Sequence, residues 1–323
     1  MSKLLLLAQK FNQFYLSGLA TGESRPFIVE GIQVGLVRPD VLQQLMNFPE
    51  VFNVTSGYVE LNPAFRNYEE RTNKVDEVLR KLRTEQKFIT LRGWRNEYYE
   101  VKREFNSHSF FKMDRCATCL FGILNYGVDI TGYVRHPTLG ICIWFQKRAA
   151  NKQTWPGFWD NMVGGGLSVG HGILETAHKE SQEEASVSKD LAKNLVSAGS
   201  VSFFYESARG LFPNTVFVFD IELPVDFTPV NADGEVEEFE LLPAAQALER
   251  VCSTNFKTTS VPVVLDFFIR HGIINIENEK ELLKIIELLH VPLQSIYSYR
   301  FPQILHNNVR ETGENGSVRI NNI

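Results

Sequence analysis

The amino-acid sequence predicts an α+β protein in two parts: a smaller α+β N-terminal domain, then a larger domain built on a mixed β-sheet. Three observations lead there. Helical and strand periodicities both occur in each part. Near residues 105–115 the pattern turns strand-rich and glycine-punctuated. The 323 residues, 44% of them hydrophobic, suffice for two cores. The expected boundaries are 1–112 for the N-terminal domain, 113–292 for the larger domain and 293–323 for a C-terminal extension or tail.

The elements follow in order. Residues 3–17 carry an amphipathic helical pattern that begins with Leu4 to Leu7 and ends near Gly18. Phe27-Ile28-Val29 and Ile32–Val37 read as strands broken by Gly31. Asp40 suits the N-cap of a helix through Leu45, which Pro49 helps to end. Val51–Leu61 reads as a strand turning at Ser56-Gly57, and Pro63 to Gln86 as a charged helix with Val75, Val78, Leu79 and Leu82 on one stripe. Phe88–Leu91 and Tyr98–Val101 read as strands. Beyond them, Ile123–Val134 and Ile141–Phe145 are expected in the mixed sheet, and a helix at 173–187 follows the glycine-rich segment 163–172. Ser200–Tyr205 and Thr215–Leu223 complete the strands, and helices are expected at 244–252, 261–271 and 278–289. The polar stretch from Asn307 reads as a loose tail.

Composition narrows the function. A net charge of -5 offers no broad attraction to nucleic acid or to an anionic membrane, so neither is expected as a partner. No stretch approaches the ~20 apolar residues of a membrane span. The leucine run at the start is too short for a signal-peptide core, which makes the cytoplasm the expected location. Cys116 and Cys119 form a lone C-x-x-C without a second pair at zinc-ribbon spacing, and buried small hydrophobes are the plainer reading. Oligomeric state is not legible.

Chemistry concentrates between Gly164 and Val187. Gly164-Gly165-Gly166 lead through a short loop into a helix carrying Glu180, Glu183 and Glu184. Spacings of three and four residues put these carboxylates on one helical face, where like charges repel. A bound divalent cation removes that cost, and carboxylate oxygens suit Mg²⁺, with Mn²⁺ as the alternative. Leu174, Ala177, Ser181 and Ala185 lie on the adjoining stripe and are expected to pack inward. No Gly-Lys-Ser/Thr follows the glycines, so a P-loop is excluded.

Gly165 together with Lys179-Glu180-Ser181-Gln182-Glu183-Glu184-Ala185-Ser186-Val187 resembles the Nudix box, G-x5-E-x7-R-E-U-x-E-E-x-G-U with U apolar. The spacing matches without a gap. His171 stands where the first Glu belongs, Lys179 replaces Arg, Ser181 an apolar residue and Ser186 Gly. Lys152–Gly157, Asp160–Leu167, Ala208–Leu211 and Asp233–Val236 extend the likeness to a fungal and plant branch related to the hydrolase half of a thiamine pyrophosphokinase fusion. Members of that branch carry an N-terminal domain of the DUF4743 type and commonly lack the first Glu of the box.

The resemblance implies a Nudix α/β/α sandwich. It makes Glu180 and Glu184 metal ligands, Glu183 a third ligand or a water-orienting base, and the Gly165 carbonyl a possible completion of the site. Lys179 would hold the carboxylates by charge, more weakly than the fork of an Arg. Glu235 and Glu237 are candidates for a general base on a late loop, competing with a plain Asp-Gly turn. Arg209 is expected on phosphate, and Trp155, Phe158 and Trp159 either wall a pocket for a flat ring or join the core. The resemblance implies Mg²⁺-dependent removal of phosphate from oxo- or oxythiamine diphosphate, leaving the monophosphate. Two alternatives remain open at this level: a nucleoside diphosphate or nucleotide-sugar hydrolase, and a Nudix-fold binding protein without turnover.

Overall fold

Residues 1–299 are described by a computed structural model, and the stretch from Asn307 lies outside the described residues. The chain starts with α1 (Lys3–Lys10), whose first turn is capped by the Ser2 hydroxyl accepting from Leu5 N–H at 3.1 Å. Helix does not continue to residue 17 as the periodicity suggests. It breaks at Phe11 and Asn12, resumes as a π-turn over Phe14–Gly18 and closes in the short α2 (Leu19–Thr21). Asn12 is the reason. Its fully buried side chain donates to the Leu288 carbonyl at 2.6 Å and accepts from Phe204 N–H at 3.0 Å. Leu4, Leu5, Ala8 and Phe11 pack into one cluster with Phe203, Phe267 and Leu289. An eight-residue helix is marginal alone, but about 1.5–3 kcal/mol for each large apolar side chain buried holds this one in place.

The N-terminal sheet follows the order β2-β1-β4-β3, from β1 (Arg25–Val29), β2 (Ile32–Val37), β3 (Phe52–Val54) and β4 (Val59–Leu61). The expected single strand at 51–61 is thus two short strands paired across the Ser56-Gly57 turn. Helix α3 (Pro39–Leu45) starts one residue before Asp40, with Arg38 at the cap and Pro39 supplying its preset φ. Asp40 pairs with Arg38 at 3.0 Å instead of capping. Helix α4 (Tyr68–Thr84), capped by Asn67, lays Val75, Val78, Leu79 and Leu82 into the core around Phe27, Phe52, Phe111 and Phe121. Ile89–Gly93 is a 3₁₀ turn, correcting the strand expected at 88–91. A two-stranded ribbon, β5 (Tyr98–Lys102) with β6 (Ser109–Asp114), and a 3₁₀ segment over Arg115–Leu120 end this part.

The larger part is a seven-stranded mixed sheet. Its path runs β11 (Val196–Ser207), β12 (Gly210–Glu222), β7 (Asn125–His136), β8 (Gly140–Arg148), β13 (Val236–Pro243). Two short strands join it: β9 (Trp159–Asn161) beside β8 and β10 (Val163–Gly166) beside β7. The β7–β12 pairing is parallel and the others are antiparallel. Alternation along the strands serves two layers. Tyr133, Ile143 and Phe145 face α7 (Ala244–Val251), α8 (Val261–Arg270) and α9 (Leu282–Leu289). Val134 and Trp144 face α5 (Ile173–Ala185) and α6 (Lys189–Ala192). Helices on both faces of one mixed sheet make the expected α/β/α sandwich. Helix α10 (Leu293–Tyr299) returns to the N-terminal part, where the Tyr297 hydroxyl donates to the Gly122 carbonyl at 2.6 Å. No helix of the described residues is long and apolar enough to cross a membrane.

Candidate active site

The site is built on the edge strand β10 and the helix after it. Gly165 is held to glycine by the side chain of Glu180, whose Cδ would lie 2.5 Å from an added Cβ. Gly166 is held to it by the Tyr99 hydroxyl and by the Arg115 guanidinium carbon, 3.3 Å from an added Cβ. The Gly165 carbonyl is turned towards β7, 2.8 Å from where a Cβ on Gly127 would stand. What Gly165 contributes to the carboxylates is therefore space.

Helix α5 presents the three glutamates along one face. Glu184 is buried, accepting from Gly164 N–H at 2.9 Å and from the Gln146 amide at 3.3 Å. Burial pushes its carboxyl up to about 8, outweighing the Gly164 hydrogen bond and reinforced by the Glu180 charge. Burial raises Glu180 as well; Lys179 opposes that and Glu183 adds to it. Lys179 Nζ lies 3.5 Å from Glu180 and 3.1 Å from Glu183, in the charge-holding place expected of it. Thr176, Ala177, Ser181 and Ala185 form the inner stripe. Leu174, expected there too, is exposed, while Thr176 in the same turn is buried.

The three carboxylates front one cleft; Glu180 and Glu183 share Lys179, while Glu184 is tied to Gly164 and Gln146. Among the described residues no group of three or more histidine, cysteine, aspartate or glutamate side chains gathers closely enough to hold an ion. The donor set still fits a hard divalent cation. It is all oxygen, two of its members are raised by burial and mutual repulsion, and Mg²⁺ needs only one or two protein carboxylates beside water and phosphate oxygens.

Facing the glutamates across a cavity of about 290 Å³ are Arg95, Arg115, Arg148, Lys152 and Lys257. Glu235 shares this wall, paired with Lys152. Burial alone would raise the Glu235 carboxyl, but Lys152 and Arg148 hold it below the ordinary range, so it is ionised at neutral pH. Glu237 points away and pairs with Lys147 at 2.8 Å. His171 sits at the rim, 3.2 Å from Glu175.

A second compartment of about 200 Å³ opens from the first and shares Gly164, Gly165 and Gly166 with it. Trp155, Tyr99, Tyr205 and Phe212 line it. Arg209 lies here and not on the carboxylate cleft, its guanidinium 5.8 Å from the Phe212 ring centroid and donating to Thr90 at 3.3 Å. Phe158 only props Trp155, and Trp159 is buried under Arg250 at 4.1 Å. Cys116 and Cys119 are buried, and burial pushes both thiols up, which suits packing and not redox work. Arg95, Glu97, Tyr99, Arg115 and Lys257 are absent from the sequence-level candidates. Their only signal is scattered basic and aromatic residues near turns.

A family model described as NUDIX domain matches residues 127–260, and one described as Domain of unknown function (DUF4743) matches residues 3–125. Nudix hydrolase 24, chloroplastic, from Arabidopsis thaliana is 37% identical over 260 residues, covering 80% of this chain and 70% of that protein. Nudix hydrolase 20, chloroplastic, from the same plant is 35% identical over 280 residues, covering 84% and 74%. Among solved structures, the NUDIX domain of Shewanella oneidensis NrtR complexed with ADP ribose overlays with a TM-score of 0.37 at 13% identity, covering 48% of this chain and 91% of that one.

Proposed function

The chain belongs to the Nudix hydrolase family and is a diphosphate hydrolase, and from that premise we propose that it cleaves damaged or antimetabolite thiamine diphosphate. Oxo- and oxythiamine diphosphate are the substrates meant, with the monophosphate and inorganic phosphate as products. One observation carries the reading: a cleft of carboxylates and cations joins an aromatic-lined compartment at a backbone of three glycines. The first part suits a diphosphate with its metal. The second suits a flat heteroaromatic ring, which Trp155 and Tyr99 would flank. Asn125 adds a buried Oδ1 with no partner among the described residues, ready for a polar ring substituent.

Nudix enzymes generally act with a divalent cation, and Mg²⁺ is the ion we assign, with Glu180 and Glu184 as the carboxylates that would hold it. Bound there, it supplies charge neutralisation and a more acidic water. The residues do the rest. Lys152 and Lys257 offset phosphate charge on the opposite wall. Glu183 and Glu235 are the carboxylates placed to take the proton of the attacking water. As the new P–O bond forms, the anhydride P–O bond breaks and its electrons leave with the departing phosphate.

The test is phosphate release by purified protein with Mg²⁺ from thiamine diphosphate analogues, nucleoside diphosphates and nucleotide sugars. The oxo- and oxythiamine diphosphates are expected to be the best substrates. Glu183→Gln should lose about a hundredfold or more of the activity, the scale of a lost proton-transfer group, with its Tm unchanged because Glu183 is half exposed. Faster release from a nucleotide or nucleotide sugar would overturn the thiamine assignment.

A further inference from the structure

The N-terminal part does not merely precede the hydrolase sheet; it forms one wall of the cleft. Ribbon β5–β6 is fastened to the loop between β10 and α5 by Val169 N–H donating to the Tyr98 carbonyl at 3.0 Å. The Ser168 hydroxyl donates to Glu97 at 2.8 Å. Glu97 in turn accepts from Arg115 Nη1 at 3.1 Å on both oxygens. Arg115 is thus aimed across Gly166 at the same cleft that Glu180 enters from the other side.

The cations of this wall are not equally neutralised. Arg148 and Lys257 share Asp160, Lys152 has Glu235 and Arg115 has Glu97. Arg95 makes no ion pair with a carboxylate among the described residues. Its Nε donates to the neutral Gln153 side chain at 2.8 Å. Burial and the neighbouring Arg115 charge lower its proton affinity, as expected of a guanidinium in want of an anion. A diphosphate supplies several negative charges and the paired oxygens that a guanidinium fork binds best.

We propose that the N-terminal domain is a working part of the active site, with Arg95 and Arg115 binding the substrate's diphosphate across the cleft from Glu180 and Glu183. This rests on the reading of the cleft as a diphosphate site, and it gives the domain a purpose that neither its sequence nor its fold states alone.

The experiment uses the full chain and a non-hydrolysable probe. Binding of methylenediphosphonate with Mg²⁺ is measured by calorimetry. Wild type binds, and Arg95→Gln weakens binding about tenfold to a hundredfold, the range for a lost hydrogen bond to a charged group. Arg95→Lys recovers part of the loss. Arg115→Lys, which keeps the charge next to Glu97 and so the fold, weakens binding by a smaller factor. Lys74→Gln, on the outer face of α4 and paired with Glu77, changes nothing. An Arg95→Gln affinity within twofold of wild type, or no binding by wild type, overturns the proposal. A chain that binds the probe through Arg95 but releases phosphate from no thiamine diphosphate analogue upholds it and overturns the substrate reading instead.

Discussion

Gly166 concentrates at one residue what joins the two parts of the molecule. A methyl there meets the hydroxyl of the buried Tyr99 and the guanidinium of Arg115, which Glu97 ties down. Gly166→Ala should therefore lower stability by about 1–3 kcal/mol, the usual cost of overpacking. That corresponds to a drop of several degrees in Tm in a thermal melt. Gly172→Ala is the contrast, since only the far end of Glu175 lies near it, at 4.0 Å. At this scale the sequence was half legible. Glu180, Glu183 and Glu184 announce themselves by spacing within one helix. Arg95 and Arg115 do not, because no local rule links them to the carboxylate helix far downstream, beyond several intervening strands. Arg209 was legible as a conspicuous cation beside a glycine, but a strand pairing that spacing does not encode carries it to the aromatic compartment.

Helix α5 holds three acids within five residues with Lys179 as the close countercharge. Such a helix gains from any cation that binds only the folded chain. Millimolar Mg²⁺ is expected to raise the Tm of the wild type by a few degrees, a chelator to reverse this, and the combined Glu180→Gln, Glu183→Gln, Glu184→Gln variant to show no response. An equal rise in that variant would place the ion elsewhere. The long elements were readable for a plain reason: α4 and α5 each bury one stripe whose pattern repeats over several turns, and α8 is a continuous run, mostly apolar, buried nearly all round. Short elements were not. Ile89–Gly93 looks like a strand in composition, yet its Thr90 and Leu91 are buried by a 3₁₀ turn that no period of two predicts. The end of α1 escaped for another reason, since it is set by Asn12 bonding to Leu288 and Phe204, far away in the chain.

The whole molecule hangs partly on a buried acidic pair carried by strands β7 and β9 of the sheet. Asp160 accepts from Arg148 at 3.0 Å, Lys257 at 2.6 Å and Ser260 at 2.5 Å, joining β8, β9 and the approach to α8. Burial alone would raise its carboxyl, but Lys257 and Arg148 hold it below the usual range. Asp129 beside it goes the other way, pushed up to about 7 by burial and by the Asp160 charge. A carboxyl raised on folding keeps its proton in the folded chain and loses it first in the unfolded one. Stability from Asp129 is therefore full below pH ~4 and falls as pH rises towards 7. Asp129→Asn should flatten that slope, leaving the variant less sensitive than wild type between pH ~4 and about 7 in urea titrations. A steeper or unchanged slope would refute the assignment. The two-part α+β plan and the mixed sheet were legible at this scale. The depth to which the parts interlock was not, because the contacts run between segments with independent periodicities.

One such contact has a temporal side. Asn12 bonds to Leu288, 276 residues downstream. A ribosome moving at 5–20 residues per second takes roughly 14–55 s to cover that stretch. Throughout that interval Leu4, Leu5 and Phe11 have no α9 to cover them. Helix α1 is thus made long before it can be fully seated, and the nascent chain carries a bare greasy handle through that interval.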